Sequence, residues 1–146
     1  MARYKLLIEF DGTHYSGWQK QPNSNTVEEE IESALSRILT QPVDIIGQGR
    51  TDSGVHAEGQ VAHFDYSGDL SPDDLLYALL GVLPRDIAVW DMHKVSDNFH
   101  ARFDARSRRY RYQIARRPVP LLRKKSEMIL DDLHIKAMKQ CAQKVF

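Results

Sequence analysis

The sequence predicts an α+β fold in which two helices pack on an antiparallel sheet of four strands. Three observations support this prediction. Four short runs rich in apolar and aromatic residues have the length of strands. Two amphipathic segments begin at recognisable helix caps. A chain of 146 residues with 42% apolar content is also long enough to enclose one hydrophobic core.

The first predicted strand and helix lie near the N-terminus. Residues 4–10, YKLLIEF, form a short apolar and aromatic run that stops at an Asp-Gly turn signal. Thr26 and Glu29 make a capping box, after which apolar residues recur at helical spacing, so a helix should run from about Thr26 to Leu39. Four glutamates in its first turns suit the helix dipole, and we expect them to form a solvated face: Glu28, Glu29, Glu30 and Glu32.

The loop between these two elements, residues 11–25, carries aromatic and polar side chains with little periodicity. Long loops of this composition are more often binding surfaces than idle connections. Trp18 is either part of such a surface or an aromatic plug at the edge of the core, and both roles are compatible.

Three further strands are predicted at residues 43–46, 60–66 and 87–95. A second helix should begin after Ser71, which is an N-cap residue followed by Pro72 at the first helical position, and Pro84 ends its leucine-rich pattern. The resulting order of strand, helix, strand, strand, helix, strand is that of a ferredoxin-like sheet. Many RNA-recognition domains share this order.

The last part of the sequence has a different pattern. Residues 108–114 are predicted to form a basic and aromatic strand, and residues 130–146 show helical periodicity that reaches the final residue without a cap. We therefore expect the chain to be part of a longer protein. Two parts are predicted, an N-terminal half at residues 1–107, which holds the Arg-Thr-Asp segment at residues 50–52, and the beginning of a second half at residues 108–146.

The segment of greatest functional interest is GQGRTDSGVHA, residues 47–57. Its glycines allow tight turns and close approach of a ligand to the backbone. Arg50 and Asp52, two residues apart in an extended loop, can project to the same side, and a guanidinium beside a carboxylate favours the ionised form. An ionised carboxylate is a nucleophile or a base. The alternative is that Arg50, Thr51 and Asp52 only form a tight turn, since Asp and Thr are ordinary turn residues.

The motif in its full length resembles the active-site signature of the tRNA pseudouridine synthase A (TruA) family, in which alanine is more usual at the position of Ser53. The resemblance extends over nearly all of the chain. It includes residues 4–13, 15–19, 59–61, 99–103 and 109–112.

The resemblance implies half of a pseudouridine synthase catalytic fold that isomerises uridine to pseudouridine in the anticodon arm of tRNA, at positions 38, 39 and 40. Asp52 would be the nucleophile or the base, Arg50 would hold it ionised and oriented, and Tyr110 would stack on the flipped target base. The family implies a homodimer and requires no cofactor and no metal. A fragment that binds RNA without catalysis is the alternative.

The charge distribution independently favours an RNA partner. The formal net charge is zero, but residues 101–125 hold ten arginines and lysines against one acid, Asp104. A strip of this kind suits a phosphate backbone. Phe103, Tyr110 and Tyr112 interrupt it, and aromatic rings among phosphate contacts suit unpaired or flipped bases.

Two other enzyme classes are conceivable. A metal-dependent nuclease would use Asp52, His56, His63 and Asp65, although no compact ligand spacing such as His-x-x-x-His is present. The alternation of residues 62–66 places His63 and Asp65 on one face of a strand that we expect to be half-exposed. A glycosidase would need a second carboxylic acid, for which Glu58 is the nearest candidate in sequence.

The remaining sequence features concern the compartment. Cys141 is the single cysteine, so an intrachain disulfide is impossible and a reducing environment is favoured. Glu9 and Asp11 interrupt the apolar run near the N-terminus, which is too short for a signal peptide. No apolar segment is long enough to span a bilayer. A cytoplasmic protein without a membrane partner is predicted.

Overall fold

The structure, a computed structural model, describes residues 1–145 and divides into two compact units, Met1–Arg108 and the residues from Arg109 onward. The first unit contains six regular elements and one short 3-10 turn at Gly12–His14. In chain order they are β1 (Ala2–Phe10), α1 (Val27–Leu39), β2 (Ile46–Gly47), β3 (Ala57–Tyr66), α2 (Pro72–Val82) and β4 (Ile87–Val95). The roles predicted for the two parts of the chain stay predictions.

The first unit is built on one antiparallel sheet with the strand order β2-β3-β1-β4. The central strand β1 pairs Leu6 with Ala62 of β3 on one side and with Met92 of β4 on the other. An α+β architecture with a four-stranded antiparallel sheet is therefore confirmed.

The core lies between one face of this sheet and the two helices. Alternate residues of β1 are buried in it: Tyr4, Leu6, Ile8 and Phe10. Leucines and isoleucines of α1 and α2 complete it, and each such buried side chain contributes roughly 1.5–3 kcal/mol. Trp18 is also buried, with its ring centroid 6.0 Å from that of Phe10, so its role as a plug of the core is confirmed.

The helices begin where their caps predict. The Thr26 hydroxyl accepts a hydrogen bond from the Glu29 N–H at 3.4 Å, and Ser71 accepts one from the Asp74 N–H at 3.1 Å. These bonds satisfy backbone donors that the first helical turn leaves without an intrahelical partner.

The predicted second strand is wrong in extent, because only Ile46 and Gly47 pair with β3. Val43 and Ile45 before them are buried, but their N–H groups bond to α1: Val43 donates to the Ser36 hydroxyl and Ile45 donates to Glu32 Oε1, both at 3.0 Å. A helix side chain here takes the place of a neighbouring strand.

The solvated face predicted for the acidic residues of α1 is wrong at Glu32. Its side chain is buried, and its second oxygen accepts from Lys20 Nζ at 3.0 Å. The carboxylate therefore links the loop before α1 to the segment after it, and a buried charge is tolerable because it is paired and hydrogen-bonded.

The second unit departs most from the predicted elements. The predicted strand at residues 108–114 is wrong apart from its last residue, since β5 is Ile114–Ala115 and pairs in parallel with β6, Glu127–Met128. A 3-10 turn at Pro120–Leu122 separates them. The arginines that precede β5 supply no apolar face for a longer strand to bury.

The last helix, α3 (Ile135–Gln143), begins five residues later than predicted. His134 caps it by accepting the Ala137 N–H at 3.1 Å, so the helix begins where a side chain satisfies its first donors. The predicted end of this helix at Phe146 lies outside the described residues. No helix in residues 1–145 is long and apolar enough to cross a membrane.

The loop after β4 lies over part of the sheet face opposite the helices, around Arg3 and His63. His63 on β3 projects to this face and is only 2% exposed, so the half-exposed strand predicted there is wrong at this position. Its Nδ1 accepts the Ala101 N–H at 3.2 Å. On the same face, Arg3 forms a two-bonded ion pair with Asp65, at 2.7 and 2.8 Å.

We expect His63 to make the fold sensitive to acid. Burial, assisted by Arg3 and His100, lowers the pKa of His63 below its ordinary value of 6.5, although Asp65 opposes this. As the pH falls below about 6.5, His63 is protonated in the unfolded chain while it stays neutral in the folded chain. The free energy of unfolding therefore decreases. Urea unfolding at about pH 7.5 and pH 5.5 measures the effect.

The matched variants for this experiment are His63→Asn, whose amide oxygen can accept the same hydrogen bond, and His93→Asn, at an exposed position on β4. We expect the loss of stability between the two pH values to shrink in His63→Asn and to persist in His93→Asn. An unchanged pH dependence in His63→Asn would contradict the assignment.

Candidate active site

The site loop, residues 47–57, joins β2 to β3 and is fastened to the loop that follows β1. The Trp18 N–H donates to the Thr51 carbonyl at 3.2 Å. The Gly54 N–H and the Ser53 hydroxyl both donate to the Tyr15 carbonyl, each at 3.2 Å. Backbone bonds on both sides of Asp52 thus fix its position before any ligand arrives.

The close approach of these two loops depends on Gly17. Its φ is +90°, and a Cβ added there would lie 2.4 Å from the Thr51 carbonyl oxygen. Any larger residue would therefore push the site loop away at the position next to Asp52.

The base of the site loop is held by side chains from β3 and from the end of the first unit. Gln60 Nε2 donates to the Gly49 carbonyl at 2.7 Å, and the Gln48 N–H donates to the Val61 carbonyl at 2.8 Å. The Arg108 guanidinium donates to the Gln48 carbonyl at 2.6 Å. Sixty residues separate Arg108 from Gln48, so the chain returns to brace the loop.

Asp52 lines an open polar cleft of about 530 Å³. The cleft is formed by the site loop and the loop after β1, and its lining residues are Ser16, Gln19, Lys20, Gln21, Arg50, Thr51, Asp52 and Ser53. Two cations and two glutamine amides line the cleft together with one exposed carboxylate. This combination suits an anionic, hydrogen-bonding ligand that must meet a nucleophile or base.

The structure brings Arg50 and Asp52 into this one cleft but not into contact. Across residues 1–145, no ion pair or hydrogen bond joins the two side chains. The role predicted for Arg50, to hold Asp52 ionised and oriented, stays a prediction. Tyr110 lies in the second unit with its ring 79% exposed, and its predicted stacking role also stays a prediction.

Sequence reasoning missed three residues that build this site. Lys20 was part of a loop identified only broadly as a binding surface, and the bracing roles of Gln60 and Arg108 were not predicted. The Gly-Gln-Val segment at residues 59–61 carried a signal, because a polar residue inside an apolar strand usually has a bonding partner. Nothing local identifies Arg108 among its neighbouring arginines.

The residues proposed for a metal site do not form one cluster. Within the described part of the chain, no group of three or more His, Cys, Asp and Glu side chains is placed to hold a metal ion. His63 and Asp65 are instead bonded to Ala101 and Arg3 on the outer face of the sheet. The geometry gives the nuclease alternative no support.

Fold and cleft together define a class of protein: an α+β domain that presents one carboxylate on a braced, glycine-rich loop in a cationic cleft. Comparison with known proteins makes the class specific. The family model described as tRNA pseudouridine synthase matches residues 6–104, which include the whole site loop.

Curated relatives agree with the family model. The tRNA pseudouridine synthase A of an Exiguobacterium species is 43% identical over 145 residues, which are 99% of this chain and 59% of that protein. That of Pseudoalteromonas translucida is 49% identical over 120 residues, 80% of this chain and 44% of the relative. That of Bacteroides fragilis is 41% identical over 147 residues, 100% of this chain and 58% of the relative.

The chain belongs to the tRNA pseudouridine synthase family, which confirms the resemblance found in the sequence. The matched part spans between 44% and 59% of the length of these curated relatives.

Proposed function

We propose that this chain is the part of a tRNA pseudouridine synthase that carries the catalytic carboxylate, Asp52. The observation that supports this most directly is the placement of Asp52: it is exposed in a polar cleft, on a loop held by backbone bonds, inside the segment that matches the family. A carboxylate presented in this way needs no further folding step to meet a substrate.

The proposed reaction is an isomerisation, so no atom is gained or lost overall. The bond between ribose C1′ and uracil N1 breaks, the base turns, and a bond from C1′ to C5 forms. The C5 hydrogen leaves as a proton, and N1 takes up a proton. Asp52 either attacks C1′ as a nucleophile, forming an ester that breaks when C5 bonds to C1′, or removes the C2′ proton as a base and returns it to C2′ as the C1′–C5 bond forms. Both roles use an ionised carboxylate on the ribose side of the flipped nucleotide.

Arg50 and Lys20 are proposed to act through charge in the same cleft. Two cations beside the carboxylate attract the phosphates that flank the target uridine, and Lys20 is held in place by Glu32. In addition, we propose that Arg50 orients Asp52 once substrate fills the cleft.

The fold proposed for the first unit is ferredoxin-like. Its element order β1-α1-β2-β3-α2-β4 and its sheet order β2-β3-β1-β4, antiparallel throughout, support this. The anticodon arm of tRNA is proposed as the substrate, and a homodimer as the assembled enzyme. The basic, aromatic strip at residues 101–125 supports an RNA substrate.

Mass spectrometry of cellular tRNA tests the function. We expect tRNA from cells that lack the gene to lose pseudouridine in the anticodon arm, and a plasmid-borne copy of the gene to restore it. Unchanged pseudouridine after deletion would contradict the proposal.

A proposed stacking role for Tyr110 leads to a second prediction. We expect Tyr110→Ala to lower kcat/KM on tRNA about tenfold or more and to leave the melting temperature nearly unchanged, because an exposed ring contributes little to a core and a stacked base about 1–3 kcal/mol. Tyr110→Phe keeps the ring and should be milder. Steady-state kinetics and thermal unfolding measure the two effects.

Tyr112→Ala is the matched control, since that ring is similarly exposed two residues further along. Equal losses of activity in Tyr110→Ala and Tyr112→Ala would refute a specific role, and a large fall in the melting temperature of Tyr110→Ala would indicate a structural one.

A further inference from the structure

The loop after β4 carries an exposed aromatic ring that rests on a second ring. The Phe103 side chain is 77% exposed, and its ring stacks on that of His100 with centroids 4.2 Å apart and planes inclined by 30°. The His100 ring in turn packs edge to face with the buried His63 ring, with their centroids 5.0 Å apart. One face of Phe103 is thus supported from below, while most of its surface faces water.

The loop that presents this ring is internally bonded. The His100 N–H donates to Asp104 Oδ2 at 2.7 Å, and the Asp104 N–H donates to the His100 carbonyl at 2.9 Å. The N–H groups of Arg102 and Phe103 approach His100 Nδ1 at 3.3 and 3.4 Å. Nδ1 is therefore an acceptor, and the imidazole ring is fixed against the turn that carries Phe103.

The same loop is anchored to the sheet at two points. The Arg3 guanidinium donates to the Phe99 carbonyl at 2.7 Å, and the Ala101 N–H donates to the buried His63. The position of the exposed ring is consequently set by the fold. A ligand that stacks on a ring already in place loses little free energy to ordering.

One guanidinium lies near the ring, and a second connects the segment that carries the ring to the site loop. The Arg102 guanidinium carbon lies 6.0 Å from the Phe103 ring centroid. The Arg108 guanidinium donates both to the Arg102 carbonyl, at 3.3 Å, and to the Gln48 carbonyl in the site loop. The exposed ring therefore lies on a segment that is bonded through one arginine to the base of the loop carrying Asp52.

We propose that Phe103, backed by His100, is a stacking platform for an unpaired base of the RNA outside the Asp52 cleft, with Arg102 facing the adjoining phosphate. This rests on the proposed function, which supplies an RNA substrate. A flat apolar ring beside a guanidinium matches the two parts of a nucleotide, its base and its phosphate. Stacking also tolerates any base, so the platform holds a neighbour of the target uridine without reading its identity.

The test compares the binding of two fluorescently labelled probes to the intact protein as the cell makes it. One probe is a ten-nucleotide oligouridine, and the other is the same ribose-phosphate chain without bases. We expect Phe103→Ala to weaken oligouridine binding about tenfold and abasic binding less than about twofold. Phe103→Trp should restore oligouridine binding, whereas Phe103→Leu, which keeps apolar bulk without a ring, should behave like Phe103→Ala.

Tyr77→Ala is the matched control, because Tyr77 is as exposed as Phe103 but lies on α2, on the other side of the sheet. We expect no change in oligouridine binding there. Three outcomes would overturn the proposed stacking role. Phe103→Ala would weaken the binding of both probes equally, Phe103→Ala would weaken neither, or Phe103→Leu would bind oligouridine as well as the unmodified protein. If Phe103→Ala fails to fold by circular dichroism, the comparison of Phe103→Leu with Phe103→Trp decides the question.

The binding assay involves no isomerisation, so its outcome is separate from that of the proposed function. A protein that forms pseudouridine in tRNA but binds oligouridine equally well with and without the Phe103 ring would refute only the platform. A protein that forms none, yet loses base-dependent binding in Phe103→Ala, would refute only the catalytic assignment.

Discussion

Asp52→Asn, made in the intact protein as the cell expresses it, is expected to lower pseudouridine formation on the order of a thousandfold or more while tRNA affinity stays within a few-fold. The amide is nearly the same size as the carboxylate but cannot act as nucleophile or base. Asp52 is exposed, so its replacement leaves no buried cavity and the fold should persist. Loss of one negative charge near phosphates slightly favours RNA binding.

A tritium-release assay on tRNA labelled at uridine C5 measures the reaction, because the C5 hydrogen is replaced in every turnover. Filter binding of the same tRNA measures affinity. Asp69→Asn is the matched control, since it removes the same charge from an exposed turn between β3 and α2. An Asp52→Asn enzyme that retained most of its yield, or equal losses of activity in Asp52→Asn and Asp69→Asn, would end the catalytic assignment.

Gly17→Ala is expected to have the second large effect, on both stability and activity. An alanine at φ +90° costs about 1–2 kcal/mol, and its Cβ would overlap the Thr51 carbonyl oxygen at 2.4 Å. The overlap can be relieved only by moving the site loop, which breaks the bond from the Trp18 N–H to Thr51 and displaces Asp52. A displacement of about 1 Å at a reacting group costs roughly a hundredfold in rate.

Gly54→Ala, in the site loop itself, provides the matched control for Gly17→Ala in the facing loop. Gly54 also has a positive φ, +78°, but a Cβ added there meets no atom within 4 Å. It therefore carries the backbone cost alone, about 1–2 kcal/mol. Urea unfolding and kcat on tRNA should both show a larger loss in Gly17→Ala than in Gly54→Ala. Equal losses in the two variants would show that the close contact between the loops is unimportant.

Local sequence patterns were sufficient to predict the elements whose formation depends on neighbouring residues. Strands β1 and β4 follow from apolar runs bounded by turns, and α1 and α2 follow from caps and periodicity, all of which act over a few residues. The site loop was also evident, because its glycines and its Arg-Thr-Asp are consecutive and their pattern resembles that of a known family. The sequence alone is sufficient to assign the family.

The polar side chains that link distant segments are set by the three-dimensional fold. Glu32 bonds to Ile45 across 13 residues, His63 to Ala101 across 38, and Arg108 to Gln48 across 60. None of these pairs shares a helical or strand period, so no local pattern predicts them. A glutamate on a helix or an arginine among arginines is ordinarily solvated. It braces another segment only when the fold brings a backbone N–H or carbonyl of that segment within hydrogen-bonding distance.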